Sequence, residues 1–435
     1  MLSAHPSDAI LQWLRRAPLV VGFSGGLDST VLLHWLAATT GLCPAGLRAL
    51  HVHHGLHPDA ERWAAHCEAA CRRLGVPLRV VRVSVPRDDG EGPEAAARRA
   101  RHAAFEAELA EGEVLALAHH RDDQAETFLL RALRGSGVDG LGAMRAWRRC
   151  GRGWLWRPLL ATPRAELLAY ARTHGLDWLE DPANADTAFD RNFLRHRVLP
   201  LLRERWPHAD AGFARSAALS AEAATLLEDA DAAALAAATA DAPDTLSVPA
   251  LCALPPARRA RVLRRWIASL ALPPLPARGI ERIEEDLLQA RPDAAASFAW
   301  DGARIRRWRA LLHAERPRPP LPRDWDAAWD GCAPLLLPDG GLLRLLPEGA
   351  GFGCTLRARA RRGGERIVLP GRRHSHALKH VLQERRVPPW LREHLPLLCA
   401  DDGTVLAAGD LVLSAALVER LRGAGARLAW RPRPD

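Results

Sequence analysis

The chain has 435 residues and lacks most of the features that mark secreted, metal-bound and membrane proteins. Its eight cysteines are scattered without a CxxC pair, which argues against a structural zinc site or a disulfide framework. No run of about 18 apolar residues occurs. The first residues, with Asp8, Arg15 and Arg16, do not resemble a secretory signal. These absences predict a cytoplasmic protein without a membrane-spanning segment.

Lysine and tyrosine are almost missing as well. Lysine occurs only as Lys379 and tyrosine only as Tyr170, so arginine supplies nearly all of the 60 basic side chains. The net charge is +9, and residues 331–435 hold 17 basic against 10 acidic side chains. A biased composition would explain the arginines alone, but their local surplus also suits a polyanionic partner such as RNA.

The first 200 residues alternate short apolar strand patterns with amphipathic helix patterns. Strands are predicted at 19–23, 47–52, 78–85 and 114–118, and helices at 28–38, 59–74, 93–109 and 122–133. Repeated β-α units predict an α/β fold, with a parallel sheet covered by helices on both faces. In such sheets ligands bind at the carboxyl ends of the strands.

The rest of the chain has a different pattern. Residues 163–173 predict one more helix, and the alanine-rich residues 209–240 predict a long helix that leads into a helical middle region. The segment RPRPPLP at 316–322 is typical of a linker, and short strands with glycine turns follow from about residue 335. We therefore predict a catalytic domain at 1–205, a helical linker and substrate-binding domain at 206–325, and a small α+β domain at 335–435.

A glycine-rich loop, SGGLDS, follows the first predicted strand at Ser24–Ser29. Backbone N–H groups at a helix N-terminus bind phosphate with the help of the helix dipole. Gly25 and Gly26 allow close approach of the backbone, and the Ser24 and Ser29 hydroxyls add hydrogen-bond donors. No GxxxxGK[ST] loop occurs, so the chain is not a Walker-type NTPase. The alternative is a plain turn that caps a helix.

The acidic residue inside this loop indicates a divalent cation. Asp28 would repel a phosphate group unless a metal ion lay between them, which favours Mg²⁺ bridging Asp28 and the phosphates. The alternative is that Asp28 is only the N-cap of the helix that follows.

Three further segments carry candidate functional residues. HVHHGL at 51–56 lies at the end of the second predicted strand. Its histidines could form a zinc site, but the aspartate of an HxHxDH site is missing, which argues against this alternative. HHRDDQAET at 119–127 ends the fourth strand and clusters carboxylates on one helix face. The alternative explanation of the HHRDDQAET segment is that its acids stabilise the positive N-terminal end of the helix dipole. The segment 181–200 places Arg191 and Arg195 one helical turn apart, which a solvated helix would also explain.

Together these motifs resemble the tRNA(Ile)-lysidine synthase family of PP-loop ATP pyrophosphatases. SGGLDS, HVHHGL, HHRDDQAET, RPLL and DPAN…RNFLRH…LP occur in that family's order over the first 205 residues. The resemblance returns at 363–366 and at 378–396, in what looks like the family's C-terminal tRNA-binding domain. Ala183 and His102 depart from it, since the family often has Ser and Tyr there, and this puts local contacts in doubt.

The resemblance implies a reaction and its partners. ATP would adenylate C2 of the wobble cytidine in a CAU-anticodon tRNA(Ile), and L-lysine would then displace AMP through its ε-amine. Mg²⁺ would assist at the phosphates. A homodimer is an oligomeric state that the sequence leaves open.

The residues that match the family's motifs are assigned to these steps. The loop residues Ser24, Gly25, Gly26, Leu27, Asp28 and Ser29 would bind ATP, and Asp28 and Asp123 would hold the metal. The catalytic candidates are Asp28, Asp123, Glu126, His119 and Arg191. The substrate-binding candidates are Asp122, Glu126 and Arg195, with one of the two acids as proton acceptor. The tRNA-binding candidates are Arg372, Arg373, Lys379, Arg385, Arg386 and Arg392.

Three alternatives compete with this hypothesis. A PP-loop 2-thiolation enzyme of tRNA would use cysteines, and Cys67 and Cys71 are spaced as CxxxC in a predicted helix. Synthetases of small metabolites share the loop but lack the basic C-terminal block. A non-enzymatic RNA-binding protein with a degenerate loop is disfavoured by the intact Asp28 and the complete HHRDDQAET segment.

Overall fold

The computed structural model describes residues 8–39, 41–55, 57–85, 93–291, 294 and 296–432. Leu56 of the HVHHGL motif lies outside the described residues. Two compact units make up the chain, Met1–Asp229 and Ala230–Asp435. The three domain boundaries given above stay a prediction. None of the helices in the described ranges is long and apolar enough to cross a membrane.

The first unit alternates strands and helices, as the pattern predicts. Its strands are β1 (Leu19–Gly22), β2 (Leu47–His53), β3 (Leu78–Arg82), β4 (Val114–Ala116), β5 (Trp147–Cys150) and β6 (Gly153–Trp156). Its helices up to residue 173 are α1 (Asp8–Leu14), α2 (Leu27–Ala38), α3 (Ala60–Leu74), α4 (Pro93–Glu108), α5 (Arg121–Leu133), α6 (Val138–Leu141) and α7 (Arg164–Thr173). Then follow α8 (Asp190–Phe193), a π-helical turn at Leu194–Val198, α9 (Leu199–Arg205) and α10 (Ala209–Ala238), whose residues 230–238 belong to the second unit.

The strands of this unit form one sheet in the order β3-β2-β1-β4-β6-β5. All neighbouring pairs are parallel except β5 with β6. Val21 belongs to one hydrophobic cluster and Val20 to another, because successive side chains of a strand point to opposite faces. Both faces are therefore covered, which confirms the predicted α/β fold. The β5–β6 hairpin was not predicted.

The second unit contains antiparallel sheets and short helices. Its strands in the middle region are β7 (Thr245–Ser247), β8 (Ser297–Trp300), β9 (Ala303–Trp308) and β10 (Leu311–Glu315), and its helices there are α11 (Val248–Cys252), α12 (Pro256–Ser269) and α13 (Ala277–Arg282), followed by a π-helical turn at Ile283–Leu287. The four strands form a sheet in the order β7-β10-β9-β8. The region is helical as predicted, but this sheet was not foreseen.

The C-terminal part of the second unit is the predicted mixture of short strands and helices. Its strands are β11 (Asp326–Trp329), β12 (Leu335–Leu336), β13 (Leu342–Leu346), β14 (Leu356–Arg359), β15 (Arg366–Ile367), β16 (His376–Ala377), β17 (Leu397–Cys399), β18 (Val405–Ala408), β19 (Val412–Leu413) and β20 (Arg427–Arg431). Its helices are α14 (Leu378–Glu384), α15 (Pro389–Arg392) and α16 (Ala415–Gly423). The proline-rich segment before β11 is anchored to this part, since Leu321 lies in its core and Arg318 donates to the carbonyl oxygens of Asp339 and Pro432.

Candidate active site

The SGGLDS loop connects β1 to α2 at the carboxyl edge of the parallel sheet. Gly26 is the N-cap of α2 and makes no side-chain cap, so Asp28 lies in the first helical turn rather than at the cap. The hydroxyls of Ser24 and Ser29 lie 3.0 Å apart, and the Ser29 hydroxyl accepts from the Ser24 N–H at 3.2 Å. The two serines thus close the loop on itself. The first N–H groups of the helix have no partner within it and are available to an anion.

Gly25 is required by the backbone of this loop. Its φ is +81°, and a Cβ there would lie 3.0 Å from Cys67 Sγ and 3.2 Å from Leu179 Cδ1. Its carbonyl oxygen accepts from the Leu179 N–H at 2.9 Å. The glycine therefore allows the loop to pack closely on the segment around residue 179.

We expect Gly25→Ala to lower the free energy of unfolding by about 1–2 kcal/mol, the cost of a left-handed L-residue, and to raise the KM for ATP because the loop must shift. Gly75→Ala is the control: Gly75 has φ +64° at the end of α3 but open space around its Cβ. Thermal melts and ATP titrations of both variants check this. Equal KM values for the two variants would contradict the crowding argument.

His120 organises the acids at the start of α5. A capping box joins it to Asp123, whose carboxylate accepts from the His120 N–H at 3.0 Å, while His120 Nδ1 accepts from the Asp123 N–H at 3.4 Å. His120 Nε2 lies 3.5 Å from Asp28 Oδ2 and 3.4 Å from Asp123 Oδ2. Burial opposes the charge on this imidazole, but Asp123, Asp28 and Asp122 raise its pKa. His120 thereby links the two candidate metal-binding carboxylates.

Arg191 and Arg195 close this acidic cluster from α8 and the π-helical turn. Their Nε atoms donate to the two oxygens of Glu126 at 2.7 and 2.6 Å. Their Nη2 atoms reach Asp123 Oδ1 at 3.2 and 3.0 Å. Burial alone would raise the pKa of Asp123, but His120 and these arginines hold it well below its usual range. Asp123 is therefore a carboxylate at any physiological pH.

A cavity of about 760 Å³ opens over the loop and the acids. This volume lies within the range of roughly 300–1,000 Å³ that is typical of ligand pockets. The lining residues that carry polar or aromatic chemistry are Ser24, Asp28, Ser29, Arg101, His102, His119, Asp123, Arg164, Trp178, Glu180, Asp181, Asn184, Arg195 and His196. The predicted phosphate loop, Asp28, Asp123, His119 and Arg195 thus share one cavity.

Three candidate residues lie behind the cavity wall instead. Glu126 is 0% exposed, and both of its oxygens are occupied by arginines. Arg191 is engaged with the same carboxylates. Asp122 accepts from the Arg164 N–H at 3.0 Å and from Arg203 Nη2 at 3.1 Å. The geometry favours positioning over direct substrate contact for Glu126, Asp122 and Arg191.

His119 lines the cavity as a neutral base. Arg157 Nε donates to its Nδ1 at 3.2 Å, which leaves the other ring nitrogen as a donor. Burial is the main cause that keeps its pKa well below the usual value; Asp123 opposes this, whereas Arg157 and Arg191 add to it. This arrangement would allow His119, a catalytic candidate, to donate a hydrogen bond to a base or a phosphate.

Several cavity residues were not among the predicted site residues. Arg164 Nε lies 3.8 Å from Asp28 Oδ1, and Glu180 and Asp181 add carboxylates. His102 also lines the cavity, and burial together with nearby arginines lowers its pKa to about 4. The departure at Ala183 leaves the local turn intact, because Asp181 accepts from the Ala183 backbone N–H. The DPAN motif is the sequence feature by which Asp181 could have been identified as a site residue.

The imidazole rings of His51 and His53 on β2 have different partners. The His51 Nδ1 atom lies 2.9 Å from the Phe23 carbonyl oxygen, and His53 Nε2 lies 3.3 Å from Glu61. Within the described residues no group of three or more His, Cys, Asp or Glu side chains is arranged to hold a metal ion. A Mg²⁺ held by one or two carboxylates and substrate phosphates needs no such group.

The cavity fits that kind of magnesium site. Asp28 Oδ1 is buried and has no hydrogen-bond partner. Asp123 is held in its charged form, lines the same cavity and shares His120 Nε2 as a neighbour with Asp28, although its oxygens also accept from His120, Arg191 and Arg195. An unsatisfied carboxylate oxygen beside a phosphate-binding loop is the donor that a hard cation needs.

The candidate tRNA-binding residues of the C-terminal part fall into two groups. Arg372, Arg373, Lys379 and Arg386 are exposed. Arg385 donates to the Leu411 carbonyl oxygen at 2.6 Å, and Arg392 donates to the Val387 carbonyl oxygen at 2.6 Å. Arg385 is itself exposed and Arg392 only partly, so these internal bonds compete with a phosphate for their guanidinium groups.

Comparison with known families assigns all three parts of the chain. Residues 5–202 match the PP-loop domain, residues 246–313 the TilS substrate binding domain, and residues 356–430 the TilS substrate C-terminal domain.

Curated relatives match over nearly the full length. The chain is 56% identical over 416 residues to a tRNA(Ile)-lysidine synthase of Xanthomonas campestris pv. campestris, covering 95% of each chain. It is 45% identical over 449 aligned positions to that of Pseudomonas aeruginosa, covering 99% of this chain and 97% of the relative. Among solved structures, a U34-tRNA thiolase from Methanococcus maripaludis is 19% identical with a TM-score of 0.39, over 46% of this chain and 70% of that one.

Proposed function

The chain belongs to the tRNA(Ile)-lysidine synthase family, and we propose on this premise that it joins L-lysine to C2 of the wobble cytidine of a CAU-anticodon tRNA(Ile) with the use of ATP. The observation that carries the chemistry is the meeting of the SGGLDS loop, Asp28 and Asp123 in one cavity. A phosphate-binding loop beside two carboxylates suits adenylation of a carbonyl oxygen.

In the first step the C2 oxygen of the cytidine attacks the α-phosphorus of ATP, and the bond to pyrophosphate breaks. The N–H groups of the loop and the Ser24 and Ser29 hydroxyls would hold the phosphates. Mg²⁺ bound by Asp28 and Asp123 would neutralise charge on the pyrophosphate. His119, kept neutral, would donate a hydrogen bond to the base or a phosphate, and Arg195 would add positive charge at the cavity wall.

In the second step the neutral ε-amine of lysine attacks C2, the C2–O bond breaks, and AMP leaves. An acid that binds lysine must face the cavity. Because Glu126 and Asp122 are occupied by arginines and a backbone N–H, we assign the lysine ε-ammonium to Glu180 with Asp181 beside it. One of these two carboxylates would take the proton of the ammonium before the neutral amine attacks. Glu180 is exposed at the cavity, and no partner of its carboxylate occurs among the described residues.

Glu180→Gln is expected to raise the KM for L-lysine about tenfold, the value of one charge-assisted hydrogen bond. Adenylation of tRNA without lysine should stay unchanged, because Glu180 has no part in the first step. Glu68→Gln, an exposed glutamate on α3 outside the cavity, is the control. Steady-state titration of lysine checks the prediction. An unchanged KM for lysine in Glu180→Gln would mean that lysine is bound by Asp181 alone or by Glu126 or Asp122.

We place the tRNA on basic surfaces of the second unit that include Arg372, Arg373, Lys379 and Arg386. Residues 331–435 carry the surplus of positive charge, and these side chains are exposed. Phosphate contacts of this kind make binding strongly dependent on salt. We also place the protein in the cytoplasm, where its proposed substrates occur, while the homodimer stays a prediction.

The alternative function is that of a PP-loop 2-thiolation enzyme, and the two candidate cysteines do not favour it. Cys67 and Cys71 are buried in α3, and burial raises the pKa of their thiols to about 12 and about 11. A thiol with such a pKa is a poor nucleophile at neutral pH.

The test is AMP release from ATP with and without L-lysine and a CAU-anticodon tRNA(Ile) transcript. The proposal expects multiple turnover only with both, and labelled lysine in the tRNA. A transcript with uridine at the wobble position is the control and should accept no lysine. An equal rate of AMP release with and without L-lysine would show that lysine is not the nucleophile.

A further inference from the structure

The second unit contains a groove that the proposed reaction does not use. It lies where β9 and the turn after it meet α15, and its volume is about 510 Å³. We propose that this groove binds one unpaired nucleotide of the tRNA outside the wobble position, with the base stacked on Trp308 and the phosphate on the surrounding arginines. The proposal rests on the proposed function, since it takes tRNA as the substrate.

The aromatic side chains of the groove form a prepared stacking platform. Trp390 of α15 is buried, and the His313 ring stacks on it with centroids 4.2 Å apart. Trp308 meets Trp390 edge to face at 5.9 Å and is itself partly exposed. A partly exposed tryptophan that is held by a buried aromatic neighbour is a surface on which unpaired RNA bases can stack.

The charged side chains at the groove differ in what they already bind. Arg306 is paired with Glu393 at 3.0 Å and with Glu315 at 2.7 Å. Arg307 donates to the Leu287 and Leu288 carbonyl oxygens. Arg309 is exposed, and its guanidinium lies 5.0 Å from the centre of the Trp308 ring. Among the described residues Arg309 has no ion pair or side-chain hydrogen bond, so it is available to a ligand anion.

Arg309 lies over Trp308 and also adds to the positive charge around Arg392. Burial lowers the pKa of Arg392, and repulsion from Arg361 and Arg309 lowers it further. Arg361 Nε is buried without a hydrogen-bond partner. Arg392 therefore carries its charge against repulsion from Arg361 and Arg309, and an anion bound at Arg309 would reduce the part that comes from Arg309.

These observations favour a nucleotide over other ligands. An aliphatic ligand would leave the arginine charges unrelieved, and an inorganic anion would leave the Trp308 face unused. An exposed arginine over a partly exposed tryptophan is a combination by which proteins hold single-stranded RNA.

The experiment uses the full chain and a tRNA(Ile) transcript, with three variants. Trp308→Ala removes the stacking surface, Trp308→Phe keeps a ring, and Arg309→Gly removes the charge at a position with φ +55°, where glycine is unstrained. Arg265→Ala, an exposed arginine of α12 away from the groove, is the matched control. The readouts are the tRNA Kd at several salt concentrations, chemical probing of each unpaired base, and AMP formation at saturating tRNA.

The proposal expects Trp308→Ala to weaken tRNA binding about tenfold or more and to expose one unpaired base that the wild type protects. Trp308→Phe should retain most of the affinity. Arg309→Gly should reduce the salt slope by about one, and AMP formation at saturating tRNA should be normal in all variants. Unchanged Kd and unchanged probing in Trp308→Ala and Arg309→Gly would overturn the proposal. Absence of tRNA binding or AMP formation in the wild type would instead count against the proposed function.

Discussion

Asp28→Asn is expected to reduce AMP formation by about 1,000-fold or more. The substitution keeps the size of the side chain but removes its charge beside the phosphate loop. Asp28 Oδ1 is buried without a hydrogen-bond partner, and the basic atom near it is Arg164 Nε at 3.8 Å, beyond hydrogen-bond distance. Its other oxygen faces His120 at 3.5 Å, which the amide oxygen can still approach.

The affinity for tRNA should stay within about twofold in this variant, because the loop makes no contribution to the basic surface of the second unit. Asp177→Asn, at an exposed aspartate of the same unit, serves as the control. Rapid-quench measurement of AMP and filter binding of labelled tRNA separate the two effects. Normal turnover in Asp28→Asn would show that the metal is held elsewhere.

Glu126→Gln is expected to have the largest effect on stability, lowering the free energy of unfolding by about 3 kcal/mol. Glu126 is 0% exposed and receives three hydrogen bonds from Arg191 and Arg195. Without its charge the two guanidinium groups would remain packed together with only Asp123 to balance them. Urea unfolding of the wild type and the variant measures the difference.

The same variant separates two roles for this acid. If Glu126 positions Arg195 at the cavity wall, adenylation should fall strongly while the KM for lysine stays normal. Glu126→Asp, which keeps the charge on a shorter side chain, should recover part of the stability. A raised KM for lysine with normal adenylation would instead show that Glu126 binds the lysine, in line with its prediction as a substrate-binding residue.

These two residues also show how far the sequence predicts the site. The SGGLDS string after a β-strand is a local signal, and its geometry follows from two glycines, two serines and a helix start. The role of Glu126 depends on Arg191 and Arg195, which fold back onto α5 from 65 and 69 residues further along the chain. Helical spacing alone predicts that the acids of α5 lie on one face of the helix. It does not predict which of these acids forms an ion pair with an arginine from a distant part of the chain.

The fold shows the same limit. The β-α alternation of the first unit was predicted because its short, mostly apolar strands alternate with amphipathic helix patterns. The β5–β6 hairpin and the β7–β10 sheet were missed, since their strands are only three to six residues long and such short runs show little periodicity. Arg385 and Arg392 were predicted as surface contacts, but the carbonyl oxygens that accept from them can be identified only in the folded chain.

The most direct test of the account is a pulse and chase with ATP labelled at the α-phosphate. The enzyme and a CAU-anticodon tRNA(Ile) are incubated without lysine, excess unlabelled ATP is added, and L-lysine follows. The account predicts labelled AMP attached to the tRNA in the first stage, and its release in equal amount with lysine incorporated when lysine arrives. Labelled AMP that is never found on the tRNA, or that lysine does not displace, would contradict the adenylation mechanism.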